Sequence, residues 1–282
     1  MAILLSLCAI WGFTQVAINV GNEGIPPFLQ AGLRSAGSGL LVWAYAAARG
    51  VPLFGRDGSL GFGLVIATLF AGEFVFLYWG LVYTTASRGI LFIYTSPFVV
   101  ALGAHWFVPG ERLRGLRTVG LLCAFAGLML AFVDGLRLPT RRELIGDGME
   151  LLAAVLWGAT TVVIKARRRR LGHEKTLFYQ LAGSAPLLLL LSWAVGEPAR
   201  ARALPLAVAA LAFQIVVVAF ASYLAWFWLL TRYPASPLAA FSFWTPIFGL
   251  LAGWLVLSEP VTPALAGAIL LVAAGIYVVS QT

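Results

Sequence analysis

The stretch "AIWGFTQVAI" at residues 9–18 has a near-copy, "VLWGATTVVI", at residues 155–164. Both contain the pattern Trp-Gly-x-Thr-x-Val-x-Ile, and both lie inside a long apolar run. The copies stand 146 residues apart in a chain of 282 residues. This spacing predicts that the chain consists of two copies of one apolar unit.

The composition indicates that these units are solvated by lipid. The chain is 61% hydrophobic and only 11% charged, with a mean hydropathy of +0.93, whereas soluble domains carry about 25% charged residues. The net charge of +8 comes from basic residues in short gaps between apolar runs. Because they do not form one polar face, we expect membrane lipid and a small-molecule substrate as partners, and no nucleic acid.

The apolar runs have the length of membrane-spanning helices. Crossing the hydrocarbon core takes about 20 residues, and backbone exposed to lipid must be helical or closed into a barrel. We interpret the first run as a retained membrane helix because it lacks the flanking signals of a signal peptide. The sequence therefore predicts an all-α integral membrane protein with ten transmembrane helices, at about 2–20, 28–48, 60–81, 87–108, 115–133, 145–165, 175–195, 206–230, 236–257 and 262–280.

The distribution of Lys and Arg predicts the orientation. If the N-terminus is cytoplasmic, most basic residues fall in inside loops, including the tract "RRRR" at 167–170, while a smaller set that includes Arg88 falls outside. Cytoplasmic loops are enriched in Lys and Arg. We therefore expect a multi-pass protein of a bacterial-type inner membrane with both termini cytoplasmic.

Further matches extend the duplication over the whole chain. They predict a first five-helix repeat at 1–134 and a second at 145–282. An odd number of spans reverses the second copy, which makes the repeats inverted. The matching pairs are "RSAGS" (34–38) with "QLAGS" (180–184), "ASRGILFIYTSPF" (86–98) with "ASPLAAFSFWTPI" (235–247), and "PGERL" (109–113) with "LSEPV" (257–261).

This layout resembles the drug/metabolite transporter superfamily with its EamA-type repeats. The resemblance rests on the paired Trp-Gly dipeptides, on Arg34 in the second span, and on paired prolines and glutamates: Pro97 with Pro246 and Glu111 with Glu259. It implies a metabolite or amino-acid carrier with a central cavity. Aromatic-rich members of the group resemble exporters of amino acids, including aromatic ones.

Polar residues on the first helix of each repeat are candidates for the cavity wall. Trp11 and Gln15 are four residues apart and share a helix face, and their repeat partners are Trp157 and Thr161. A polar stripe in a membrane helix points away from lipid. These residues therefore either bind substrate or form hydrogen bonds between helices.

Two charged residues lie deep within predicted spans, away from the span ends. Arg34 either binds a carboxylate, on the substrate or on Glu73, or plays a structural role at a helix end. Glu73, in "FAGEFVFLYW" (70–79), is either a proton-coupling group or a neutral helix clamp. Both are candidates for coupling or for an ion pair.

Deep aromatic residues complete the candidate substrate site. Their rings suit a planar or apolar side chain, or a cation over a ring face. The alternative is core packing or lipid contact. The candidates are Tyr78, Tyr94, Tyr223, Trp226 and Trp244.

These features favour a secondary transporter that exports amino acids or related small metabolites by alternating access, with aromatic or apolar side chains preferred. The alternatives are a drug or organic-cation exporter of the same fold and, in a different class, a membrane channel. The sequence holds two His, two Cys and no nucleotide-binding motif, so we expect no enzyme, no cofactor and no metal site. The oligomeric state stays open and is compatible with a monomer.

Overall fold

The fold is helical, as the composition predicts. A computed structural model describes residues 2–54, 58–133, 138–167, 172–257 and 263–281, and the regular structure in these ranges contains helices and no strand. Six helical stretches in these ranges are long and apolar enough to cross a membrane, and three further apolar stretches are shorter; some of them combine consecutive helices. The all-α membrane class is thereby confirmed, while the count of ten spanning helices stays a prediction.

Thirteen α-helices are found in the described ranges, with a π-helix at Gln214–Ser222 and a short 3₁₀ turn at Pro198–Arg200. The α-helices are α1 (Ala2–Asn22), α2 (Pro27–Ala48), α3 (Ser59–Tyr83), α4 (Ala86–Ile93), α5 (Ser96–Phe107), α6 (Gly115–Ala131), α7 (Arg141–Arg167), α8 (His173–Ala194), α9 (Pro205–Phe213), α10 (Tyr223–Arg232), α11 (Ala235–Phe241), α12 (Trp244–Leu257) and α13 (Pro263–Ser280).

The predicted runs 87–108 and 236–257 are each broken into two helices. Pro97 and Pro246 lie just after the breaks and have no N–H to continue the backbone hydrogen-bond ladder. The hydroxyls of Thr95 and Ser242 donate to the carbonyls of Phe92 (2.7 Å) and Ala239 (2.6 Å). Side-chain hydroxyls thus satisfy backbone oxygens where the helix is interrupted.

The π-helix interrupts the run predicted at 206–230. At its start, the Gln214 amide nitrogen donates to the Gln30 side-chain oxygen (2.6 Å) and to the Ala17 carbonyl (3.2 Å). The Ser38 hydroxyl donates to the Ile215 carbonyl (3.0 Å). A backbone carbonyl of α1 and side chains of α2 thus supply hydrogen bonds where the backbone departs from α-helical geometry.

The chain forms two compact units, and each draws on both predicted repeats. Unit one comprises residues 1–13, 76–166 and 233–282, and unit two comprises residues 14–75 and 167–232. In unit two, α2 packs along α8. In unit one, α6 packs along α13.

Glycines allow α6 and α13 to approach closely. A Cβ atom at Gly120 would lie 2.7 Å from the carbonyl oxygen of Gly275, and one at Gly127 would lie 2.9 Å from that of Ala268. In membranes, small residues allow this backbone approach and strengthen helix packing.

The glycines of the two Trp-Gly dipeptides make a similar approach within unit one. A Cβ at Gly12 would meet the Thr245 carbonyl oxygen and the Phe248 Cβ, both at 2.9 Å. A Cβ at Gly158 would meet the Val99 Cβ at 2.6 Å and the Ser96 carbonyl oxygen at 3.3 Å. The contacted residues of α12 stand 149 positions after those of α5, which is the offset of the repeated stretches at 86–98 and 235–247. The motif therefore recurs because each copy seats a helix against the start of α5 or α12.

We expect Gly12→Ala to destabilise the protein, since the new methyl group would press on backbone atoms that cannot rotate away. Overpacking of this kind costs about 1–3 kcal/mol. The control is Gly249→Ala, on the other side of the same contact, where a Cβ would meet its nearest atom at a comfortable 3.7 Å. Thermal unfolding in detergent should show a lower midpoint for Gly12→Ala alone, and equal midpoints would contradict the contact.

Candidate functional site

Unit two brings together Arg34 and Glu73, the two charged residues predicted to lie deep within spans. The Arg34 guanidinium lies over the Phe74 ring, with its carbon 4.3 Å from the ring centroid. Phe70 continues the cluster, with ring centroids 4.9 Å from Phe74 and 6.3 Å from Tyr223. Glu73 and Arg34 interact electrostatically with each other and with Tyr223. The structure thus joins three of the predicted site residues in one cluster.

Arg34 and Glu73 are buried without full hydrogen bonding. Arg34 is 1% exposed and Glu73 is 8% exposed. Within the described part of the chain, Arg34 Nε and Nη2 and Glu73 Oε2 have no hydrogen-bond partner, and no salt bridge joins the two side chains. Unsatisfied charged atoms are costly in a membrane protein, so Arg34 and Glu73 stay candidates for a functional site.

Trp226 lies one turn beyond Tyr223 on α10 and is buried in the same unit. Gln15 belongs to α1, but its side chain lies outside the described residues.

The remaining aromatic candidates belong to unit one. Tyr94, at the break between α4 and α5, meets Trp157 of α7 edge-to-face, with ring centroids 6.4 Å apart. Trp244, at the equivalent break between α11 and α12, lies 6.0 Å from Phe248 of the same helix. These rings are partly buried and are adjacent to points where the backbone changes direction.

Three other unit-one candidates differ in burial. Trp11 is half-buried beside the Gly12 contact, whereas Tyr78 on α3 and Thr161 on α7 are buried. Their role in substrate binding stays a prediction.

The placement of Arg88 in an outer loop is wrong. Arg88 lies in α4, is 9% exposed, and forms a buried salt bridge with Asp147 of α7. Its Nε donates to Asp147 Oδ1 (3.2 Å), and Thr84 donates to the same oxygen (2.6 Å). Arg88 was assigned by its closeness to a predicted span end, and that criterion cannot detect a carboxylate 59 residues away.

A second buried ion pair lies at the far end of α7. Lys165 is 3% exposed and lies 3.6 Å from Glu111 Oε1 while it also donates to the Tyr233 carbonyl. Glu111 in turn accepts the Ala235 backbone N–H at 2.8 and 2.9 Å. The carboxylate therefore caps the start of α11, where the helix dipole favours negative charge. The repeat partner Glu259 lies outside the described residues.

Glu150 is a further buried acid that the sequence analysis did not select. It lies in α7, is 1% exposed, and its Oε1 has no hydrogen-bond partner among the residues that the structure describes. Its signal in the sequence is an acid one helical turn after Asp147 and directly before a long apolar run.

No cluster of His, Cys, Asp and Glu suited to a metal ion occurs in the described ranges. Cys8 is buried and Cys123 half-buried, and both are free thiols.

Comparison with known proteins identifies the family to which this sequence is similar. The sequence model of the EamA-like transporter family matches residues 1–133 and again residues 144–281. The uncharacterized transporter YoaV of Bacillus subtilis is 26% identical over 97% of this chain and 94% of its own length. The proteins named probable amino-acid metabolite efflux pumps of Escherichia coli and Salmonella typhimurium are 26% and 28% identical over 97% of this chain and 92% of theirs.

A solved crystal structure has the same fold. It aligns with a TM-score of 0.85, covering 99% of this chain and 97% of its own, at 24% sequence identity.

We expect Glu111→Gln to destabilise the protein because it removes the carboxylate that lies 3.6 Å from the buried Lys165 ammonium. Breaking a buried pair costs about 3–5 kcal/mol. The double variant Glu111→Gln/Lys165→Met should recover part of this loss in thermal unfolding, since it removes both charges. The exposed acid Glu23, changed to Gln, is the control. A double variant as unstable as the sum of both single changes would contradict the pairing.

Proposed function

This chain belongs to the EamA-like transporter family, and on that premise we propose that it is a secondary transporter that exports amino acids or related small metabolites. Aromatic and apolar side chains are preferred. Transport proceeds by alternating access between two inverted five-helix repeats, residues 1–134 and 145–282. The transporter needs no cofactor, and its partners are the substrate and membrane lipid.

Paired contacts support the inverted repeats. Gly12 approaches Thr245, and its repeat partner Gly158 approaches Ser96, the repeat partner of Thr245. Two copies facing opposite ways would produce such pairs, because each contact in one half has a counterpart in the other. An exchange of conformation between the copies then opens the pathway to either side in turn.

The proposed orientation places both termini in the cytoplasm of a bacterial-type inner membrane. It rests on the excess of Lys and Arg in the inside loops.

Arg34 and Glu73 carry the substrate proposal. An amino acid presents a carboxylate and an ammonium a few ångströms apart, and each needs an opposite charge when it leaves water. The guanidinium binds carboxylates through a fork of N–H groups, and Arg34 Nε and Nη2 are unpartnered within the described ranges. Glu73 supplies the acceptor for the ammonium. Tyr223 and Trp226 provide aromatic surface in the same unit.

The same pair argues against a drug or organic-cation exporter. A site for a simple cation needs an acid, and a neighbouring guanidinium would repel the substrate and weaken binding. A channel is disfavoured by the duplicated architecture, which provides two interchangeable states rather than an open pore. The names of the Escherichia coli and Salmonella relatives point in the same direction.

We expect reconstituted protein to transport phenylalanine at least tenfold faster than phenethylamine, which lacks the carboxylate, or 3-phenylpropionate, which lacks the ammonium. Arg34→Gln should remove the discrimination against the amine, and Glu73→Gln should remove the discrimination against the acid. Each variant is measured by competition against labelled phenylalanine in proteoliposomes, after size-exclusion chromatography has verified its fold.

The exposed residues Arg49 and Glu23, each changed to Gln, are the matched controls and should keep the selectivity of the unmodified protein. A uniform loss of all three ligands in the Arg34 and Glu73 variants would indicate a structural pair and overturn the proposed site. Flux of an organic cation without flux of any amino acid would favour the cation exporter.

The Tyr94–Trp157 pair offers a second test of the substrate class. Because Trp157 presents a large ring surface, Trp157→Ala should weaken competition by tryptophan on the order of tenfold while changing competition by threonine much less. The control is Trp193→Ala, at a residue that is 75% exposed, and it should leave competition by both amino acids unchanged. Equal losses for both amino acids would contradict a role in recognising planar side chains.

A further inference from the structure

Glu150 lies well inside α7, too far from the end of the helix to be a charge at the membrane surface. The helix begins at Arg141, so at 1.5 Å per residue Glu150 lies about 14 Å along it. The helix is one of those long and apolar enough to cross a membrane. The side chain is 1% exposed, so its carboxyl group is shielded from water in this conformation.

The carboxyl group rests in a notch made by glycine backbone. A Cβ atom at Gly80 of α3 would lie 2.7 Å from Glu150 Oε1, and one at Gly89 of α4 would lie 3.4 Å from it. Neither glycine has a side chain that could donate a hydrogen bond or carry a countercharge. Oε1 accordingly has no hydrogen-bond partner within the described residues.

The charged groups facing the notch are already engaged with one another. On the same helix, Asp147 lies one turn before Glu150 and interacts with it electrostatically. On α4, Arg88 forms its salt bridge with Asp147, which also accepts the hydrogen bond from Thr84. On the α3 side, the notch is lined by the backbone around Gly80. Arg88 and Asp147 thus balance each other and leave Glu150 without a countercharge of its own.

We propose that Glu150 is a proton-binding site that couples proton movement to transport. This role rests on the proposed transport function and adds its energy source. An unpaired carboxylate in an apolar span is costly, whereas a carboxylic acid is tolerated. In the conformation described here the group holds a proton, and Arg88 is the nearby cation that can stabilise the carboxylate when the notch opens to water.

The chemical step is a reversible proton transfer. When the notch opens, the O–H bond of the Glu150 carboxyl breaks, the electron pair stays on oxygen, and the proton passes to water. Reprotonation from the opposite side resets the site. Because transport and proton transfer then share one conformational cycle, a pH gradient can drive substrate against its concentration gradient.

A proton suits this site better than a metal cation. Sodium requires several oxygen ligands around it, and a notch lined by glycine Cα atoms provides one carboxylate. A purely structural acid would be expected to accept hydrogen bonds from the helices it joins, as Asp147 and Glu111 do.

The test compares two transport measurements in proteoliposomes. In counterflow, labelled amino acid exchanges with unlabelled amino acid and no net proton movement is needed. In gradient-driven uptake, an imposed pH gradient must raise the internal concentration above the external one. We expect Glu150→Gln, which keeps the shape of the protonated acid, to retain counterflow within about twofold and to lose gradient-driven accumulation. Glu23→Gln should retain both.

A second readout does not depend on the substrate. Infrared spectra of the purified protein should contain a protonated-carboxyl band that is missing in Glu150→Gln and present in Glu73→Gln and Glu23→Gln. Gly80→Ala, which places a methyl group where the carboxyl lies, should shift or remove the same band while leaving the titratable residue in place.

The outcomes separate the two proposals. Amino-acid counterflow with no response to a pH gradient in the unmodified protein would overturn proton coupling and leave the substrate proposal intact. The same holds if a sodium gradient alone drives uptake, or if Glu150→Gln accumulates substrate normally. Absence of amino-acid flux together with the Glu150-dependent band would instead overturn the substrate proposal and support the proton site. Absence of the band would overturn the proton site.

Discussion

The absence of water from the hydrocarbon core is the constraint on which this structure depends. Each backbone or side-chain polar group in a span must find its partner within the protein. Where prolines interrupt the helices, the hydroxyls of Thr95 and Ser242 donate hydrogen bonds to backbone carbonyls. Glu111 caps the start of α11 and neutralises Lys165, and Glu197 accepts the first N–H groups of α2. These backbone groups at irregular points of the fold are therefore satisfied by side chains that lie near them in space.

Among the buried polar atoms without a partner in the described ranges, those of ionisable side chains are the most informative. Arg34, Glu73 and Glu150 are buried in apolar helices, and each has at least one polar atom without a partner in the described ranges. A mainly structural charge would gain by pairing, as Arg88 and Asp147 do. Ionisable groups with unpartnered atoms are available to a ligand or a proton, and the proposed substrate and proton sites therefore rest on Arg34, Glu73 and Glu150.

Much of this architecture could be predicted from the residues alone. Hydropathy and charge placement predict helices in lipid, and the spacing of the Trp-Gly dipeptides predicts a duplication, because apolar length and recurrence are properties of the chain. Arg34 and Glu73 could also be selected, since a charge inside an apolar run is conspicuous. Arg88 and Glu150 were missed because each lies near the end of a run, where a charge is ordinary unless its burial is known.

The sequence by itself determined the class of the protein, the recurrence of its units and the candidate charges, because these follow from the order and chemistry of neighbouring residues. Only the tertiary structure decided which charges are paired. Asp147 meets Arg88 across 59 positions and Glu111 meets Ala235 across 124, distances in sequence that no local pattern can span. It also revealed that the glycine of each Trp-Gly dipeptide allows its helix to pack closely against the backbone of another helix. Pairing and close approach depend on distances between helices, and those arise only when the helices pack.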